Sequence, residues 1–236
     1  MAKLAALRGR MAAVAAMIAL LAGLLTQLPQ AQARGERPGL FDYLVLSMSW
    51  SPTWCLTEGK KRRDAKAQCA PGRMRGFVLH GLWPQFRRGW PSNCRGAARF
   101  VPDAVIREVL DVMPSKGLVI HEWRKHGTCS GLSPRGYFTL AKKLFRMVRV
   151  PSAYQRPAEA LKRSPQQIRR EFAEANRGQG FVADSFAVIC TRKGRDVALL
   201  KEVRVCFTPT GRPSRCGFNE QRAQCRARLV VVPPVR

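Results

Sequence analysis

The chain has 236 residues, eight of them cysteine, and 42 Lys and Arg against 15 Asp and Glu give a formal charge of +27. That length suits one domain with a sizeable core and argues against several. The charge points to a polyanionic partner (nucleic acid, an acidic polysaccharide or an anionic membrane), although a solvated basic surface would give the same total.

Lys3, Arg8 and Arg10 make a basic start, Met11 to Leu25 is apolar, and Ala31-Gln32-Ala33 has the small-x-small pattern of a signal-peptidase site. The apolar run is shorter than the ~20 residues that span a bilayer. Residues 1–33 therefore read as a cleaved secretory signal, and 34–236 as the domain, with no membrane span once the signal is gone. Cys55, Cys69, Cys94, Cys129, Cys190, Cys206, Cys216 and Cys225 all lie beyond the signal, and an even count there reads as disulfides in an oxidising compartment. The C-x-x-C spacing of a zinc site is missing, and cysteine spacing leaves the pairing open.

In chain order, 34–40 reads as irregular. Phe41 to Trp50 (FDYLVLSMSW), rich in aromatic and β-branched residues, predicts a central strand. Cys55 to Cys69, with Lys60, Lys61, Arg62, Arg63 and Lys66, predicts a basic loop closed by its own disulfide. Arg75 to His80 predicts a second strand, stopped at Gly81-Leu82-Trp83-Pro84. Val105, Val109 and Met113 mark an amphipathic helix over Pro102 to Met113, and a further helix runs from about Val119 to a stop at Gly127. Ser133-Pro134 opens a helix with Leu140, Leu144 and Val148 on one face and Lys142, Lys143, Arg146 and Arg149 on the others. Ser164-Pro165-Gln166-Gln167 is a capping box ahead of Ile168, Phe172 and Ala175, with Gly178 as the stop. Asp184 to Cys190, Val197 to Phe207 and Arg228 to Val232 read as strands. With no repeat or interdomain linker, the pattern predicts one α+β domain.

The three histidines fall in two segments, FVLHGLWPQ and HEWRKHGTC. Zinc proteases set two histidines four apart on one helical face, whereas His121 and His126 are five apart, roughly 140° round a helix, with no evident third ligand. A metal site is disfavoured. On a helix, His121 and Lys125 are one turn apart, as are Glu122 and His126, so two imidazoles, a carboxylate and an ammonium share a broad face while Trp123 and Arg124 point elsewhere. Imidazole both accepts and donates a proton near neutral pH. The plain alternative is a solvated surface helix, with His80 a satisfied core histidine. Against a basic background, two imidazoles suit RNA cleavage: one removes the 2′-OH proton, the other protonates the departing 5′-oxygen, and cations stabilise the phosphate. DNA, lacking the 2′-OH, would be at most an uncleaved ligand.

FVLHGLWPQ and HEWRKHGTC resemble the two active-site segments of the ribonuclease T2 family, secreted acid–base endoribonucleases. LVLSMSWSPTWC resembles the early strand of its bacterial members, and PSNC (Pro91 to Cys94) the segment after the first motif. The likeness is good from Phe41 to Val150 and thin beyond. It implies a central antiparallel sheet flanked by helices and stapled by disulfides Cys55–Cys69, Cys94–Cys129, Cys190–Cys225 and Cys206–Cys216. It also implies His80 as general acid, His126 as general base, Glu122 and Lys125 stabilising the pentacoordinate phosphate, and His121 binding phosphate. Trp83 and, where relatives often have Tyr, Trp90 would stack on bases. Gln85 stands where Asp or Asn is common, which puts an inherited base preference in doubt. The function implied is cleavage of single-stranded RNA through a 2′,3′-cyclic phosphate to 3′-phosphate ends, with low base specificity and no metal or other cofactor, by a secreted or periplasmic monomer. A secreted basic RNA-binding or membrane-active protein on the same scaffold is the other reading.

Overall fold

The computed structural model describes residues 37–59, 65–193 and 197–235. The expected signal segment and the centre of the basic loop, Lys60 to Arg63, lie outside the described residues. Six strands, β1 (Tyr43–Trp50), β2 (Phe77–Gln85), β3 (Leu161–Arg163), β4 (Phe186–Lys193), β5 (Val197–Phe207) and β6 (Val230–Val232), form one sheet in the order β2-β1-β5-β6-β3, with β4 also paired to β5. Every pairing is antiparallel except β5 with β6, which meet in parallel at Leu199 and Val231. The predicted antiparallel sheet therefore carries one parallel contact.

β1 is central, as its composition predicts, and both its faces are covered. Leu44, Leu46, Met48 and Trp50 enter the main core, while Tyr43 and Val45 join a smaller cluster with Ala187, Cys206 and Cys216, against which Trp83 packs. The main core is closed by α3 (Asp103–Val109), α4 (Lys116–Lys125), α5 (Pro134–Met147) and α6 (Pro165–Ala175) through Val105, Val109, Val119, Trp123, Phe138, Leu144, Ile168 and Phe172. The predicted capping box is present on α6, where Ser164 and Gln167 bond each other's backbone. Its stop is Asn176 rather than Gly178, because the Asn176 amide donates to the Phe172 and Arg149 carbonyls and accepts from the Arg149 N–H.

Further boundaries differ from expectation: the helix foreseen over Pro102 to Met113 ends at Val109, and the one foreseen from about Val119 begins at Lys116. The Cys55 to Cys69 stretch is not all loop: α1 (Ser51–Thr57), with Pro52 in its first turn, and α2 (Lys66–Cys69) flank it. The three-residue β3 has too little sequence to show a period. Pro84 does not end β2, which runs on to Gln85. β2 is the sheet's edge, and Leu82 turns its N–H and carbonyl away from β1 to the Tyr137 hydroxyl. Pro84, two residues on, has the same outward phase, so its missing N–H breaks no ladder bond.

Four disulfides join Cys55 to Cys69, Cys94 to Cys129, Cys190 to Cys225 and Cys206 to Cys216. The remaining short helix, α7 (Phe218–Ala223), follows the last bridged loop. Among the described residues no helix is long and apolar enough to cross a membrane.

Candidate active site

His80 owes its direction to an irregularity in β2. Ser47 pairs with Gly81 and Met48 with Leu79, so His80 is the extra residue of a bulge, a device that re-aims a side chain without ending the strand. Its Nδ1 lies 3.0 Å from Glu202 Oε1 on β5, and its Nε2 lies 3.7 Å from Glu122 Oε1 on α4. Glu122, 1% exposed, also accepts from the Trp83 indole N–H at 2.7 Å. A methyl group on Gly81 would collide with that carboxylate and with the indole nitrogen, so the Gly of FVLHGLWPQ is what lets α4 approach β2 this closely.

α4 begins at Ser115, whose hydroxyl accepts from the Leu118 N–H, and ends at Lys125, with His126 as its C-terminal cap. Gly127 does not end it by a left-handed turn. A side chain there would strike the Trp123 ring, so Gly127 is required by packing. The PSNC segment clamps this end: the Asn93 N–H donates to the Lys125 carbonyl at 2.8 Å, and Cys94 is bridged to Cys129. Trp123 anchors the opposite face by donating to the Ala98 carbonyl at 2.7 Å.

The two imidazoles sit in opposite electrostatic settings. Burial disfavours charge on His80, but the bonded Glu202 and nearby Glu122 outweigh burial and the repulsion of Arg204, and its pKa rises above the usual 6.5. His126, 6% exposed, is pushed down to about 3 by burial and then by the positive charges of Lys125, His121 and His80. Its buried Nδ1 has no hydrogen-bond partner among the described residues, and an imidazolium must donate from both nitrogens, so the neutral form is favoured twice over. These effects exceed the opposing pull of the α4 C-terminus on a cation. Burial raises the Glu122 carboxyl above its usual range, against His80, the Trp83 N–H and Lys125. Glu202 is held down to about 2: burial would raise it, but His80 and Arg204 prevail.

Of the residues expected from sequence, His80, Glu122, Trp83 and His126 form one cluster, with Trp83 ring centroids 5.3 Å from His80 and 5.4 Å from His126. The Lys125 charge acts on both Glu122 and His126. His121 is exposed one turn earlier and, with His80, Ser49, Trp54 and Lys201, lines an open cleft of about 440 Å³. The Arg204 guanidinium lies 4.9 Å over the Trp83 ring, which also packs against the smaller cluster. Trp90 is 56% exposed. Gln85 is buried in a separate network: its oxygen accepts from Asn219, which also bonds Tyr43 and the Phe86 and Gly89 carbonyls, while its own amide donates to the Pro84 carbonyl. Sequence reasoning missed Glu202 and Arg204. The signal available was a carboxylate and a guanidinium two apart in the otherwise apolar VALLKEVRVCF, placed in phase on one face of a strand. Among the described residues no group of three or more His, Cys, Asp or Glu is arranged to hold a metal.

A sequence model of the Ribonuclease T2 family matches residues 41–216. A ribonuclease of Aeromonas hydrophila is 48% identical over 113 residues, which are 48% of this chain and 48% of that protein. A probable ribonuclease of Haemophilus influenzae is 30% identical over 154 residues, 60% of this chain and 57% of that one. The chain thus spans about half the length of these relatives. Among solved structures, an RNase-related protein from Calystegia sepium has a TM-score of 0.63 at 23% identity, covering 83% of this chain and 98% of its own. Ribonuclease MC1 from bitter gourd seeds has 0.56 at 25%, covering 72% and 91%. Both have this fold, and the family match takes in the sheet from β1 into β5 and both histidine segments: the chain belongs to the Ribonuclease T2 family.

Proposed function

We propose that the protein is an endoribonuclease that cleaves single-stranded RNA by acid–base transesterification without a metal. The observation that carries this reading is the placing of two imidazoles around Trp83 in opposite settings, His80 bonded to Glu202 and biased toward charge, His126 buried and biased toward the neutral form. Neutral His126 takes the 2′-OH proton, the 2′-oxygen attacks phosphorus, and His80 protonates the leaving 5′-oxygen. Lys125 and Glu122 face the charge that builds on the phosphate, and exposed His121 meets the backbone at the cleft. The product is a 2′,3′-cyclic phosphate, which the same pair hydrolyses to a 3′-phosphate with roles exchanged. DNA binds at most without being cut.

Base preference is weak on this reading. Trp90 and Trp83 stack on bases, a contact that every base can make, and Gln85 lies at the substrate with its amide already held by Asn219 and the Pro84 carbonyl. The four disulfides suit an oxidising compartment, in keeping with a cleaved signal over 1–33, a secreted or periplasmic location and a monomeric enzyme.

The test is product analysis of RNA and matched DNA incubated with the oxidised protein in EDTA, beside His80→Ala and His126→Ala. Cyclic phosphate from RNA alone, reduced by about 10² to 10⁴-fold in either variant, is the expected result. RNA that is bound but left intact would make this a binding protein, and activity lost only with the chelator would make it a metal enzyme.

A further inference from the structure

We propose that Glu202 is the positioning residue for His80, fixing the tautomer and direction of the ring and supplying the counter-charge of its imidazolium. The proposal rests on the endoribonuclease reading and extends it to a strand outside both histidine segments.

Glu202 is 2% exposed and sits mid-sheet, opposite Ser49 of β1 and Ile189 of β4, where a carboxylate is tolerated only if both oxygens are satisfied. Each has one partner: His80 Nδ1 at 3.0 Å from Oε1, and the Arg204 Nε–H at 3.1 Å from Oε2. An ionised carboxylate only accepts, so Nδ1 must carry the proton, and Nε2 is left to face Glu122 and the reacting phosphate. The backbone is irregular on both sides of this contact, with extra residues at His80 in β2 and at Lys201 in β5. Those two bulges bring His80 and Glu202 into line across β1, although they are 122 residues apart in the chain.

The arrangement follows the proton through a turnover. As the bond from phosphorus to the 5′-oxygen breaks, its electron pair stays on that oxygen and the Nε2 proton of His80 passes to it. The Nδ1 proton remains on the ring, still donated to Glu202, so neutral His80 emerges with Nε2 ready to accept. In hydrolysis of the cyclic phosphate, Nε2 takes a proton from the attacking water. Arg204 keeps Glu202 ionised in both stages. The groups that set the charge on His80 are Glu202 and Arg204 from β5 and Glu122 from α4, with His121, Lys201 and Glu58 on the adjoining cleft.

The chain's three histidines make the experiment a short NMR titration, with the kcat/KM profile on a dinucleoside monophosphate measured in parallel. Glu202→Gln keeps the shape and can still accept from Nδ1, but removes the charge. The expected result is a His80 titration lowered by about 1 pH unit or more, with the alkaline limb of the rate profile lowered equally. At pH 7 kcat falls about 10-fold while KM stays within about 2-fold, and Glu202→Asp recovers part of the limb. The proposal is overturned if Glu202→Gln leaves both the His80 titration and the limb in place, or if His80 of the unaltered protein titrates below the ordinary 6.5. Should Glu202→Gln not fold, the tautomer of neutral His80 in the unaltered protein decides, read from its imidazole nitrogen shifts: a proton on Nδ1 supports the proposal and one on Nε2 overturns it. If the unaltered protein does not cleave RNA, the enzymatic reading falls while the titrations still report on the pair.

Discussion

Gly81 shows how much chemistry a missing side chain can carry. Any Cβ there would come within 2.9 Å of Glu122 Cδ and closer still to its carboxylate oxygen. Gly81→Ala is therefore expected to keep the fold, losing about 1 to 3 kcal/mol by overpacking, yet to lower kcat far more than that strain suggests, because Glu122 is displaced from His80 and Trp83. Melting temperature and kcat on the same sample check this, and a proportionate loss of both would count against it. The pH profile also belongs to this scale. His126 becomes competent as pH rises through about 3, and His80 loses its proton only above its raised pKa, so kcat/KM of the free enzyme should form a broad bell with its acid limb near 3 and its alkaline limb above 6.5. An acid limb near 6.5 would mean that His126 is not the buried, neutral partner. Histidines grouped with Glu and Lys were legible in HEWRKHGTC. The environments that push the two rings apart were not, since burial and Glu202 are supplied by distant chain.

At the scale of elements, β2 is an edge strand made safe by what covers it. Tyr137 of α5 donates to the Leu82 carbonyl at 2.7 Å and accepts from its N–H at 3.3 Å, and the Leu79 N–H donates to the Val112 carbonyl. Tyr137→Phe leaves two backbone groups of β2 without partners. It is expected to destabilise the protein by about 1 to 3 kcal/mol in urea unfolding, with a smaller loss of kcat as β2 loosens. An unchanged midpoint would show that water replaces the hydroxyl. β1 and α5 were legible because their apolar periods are long, and β5 because apolar residues flank Lys201, Glu202 and Arg204 on both sides. Pro84 misled because a proline's cost depends on whether its N–H position faces a neighbouring strand, and strand order is not written locally. The stop at Asn176 was hidden for a similar reason: it is set by a contact with Arg149, on another segment.

For the molecule as a whole, Cys94–Cys129 closes a 35-residue span that contains α3 and nearly all of the second histidine segment. Replacing both cysteines by serine should cost about 4 kcal/mol by loop entropy and free the C-terminal end of α4, lowering activity before the protein unfolds. Activity lost only together with the fold, in a urea titration read by both, would contradict this. On the proposed reading the excess of Lys and Arg draws RNA through phosphate contacts, so log kcat/KM should fall linearly with log salt, by roughly one unit of slope per contact.

The amino-acid sequence by itself determined the basic character, the α+β alternation, the helix that carries Glu122 and Lys125, and the family, because these rest on local periods and on short motifs whose residue types suit one chemistry. Only the tertiary structure decided that Glu202 and Arg204 stand against His80 and Trp83, that Gln85 is tied to Asn219, and that His80 stands on a bulge. Those facts depend on strand register and on which buried charges meet, and both are fixed when the sheet closes over residues far apart in the chain.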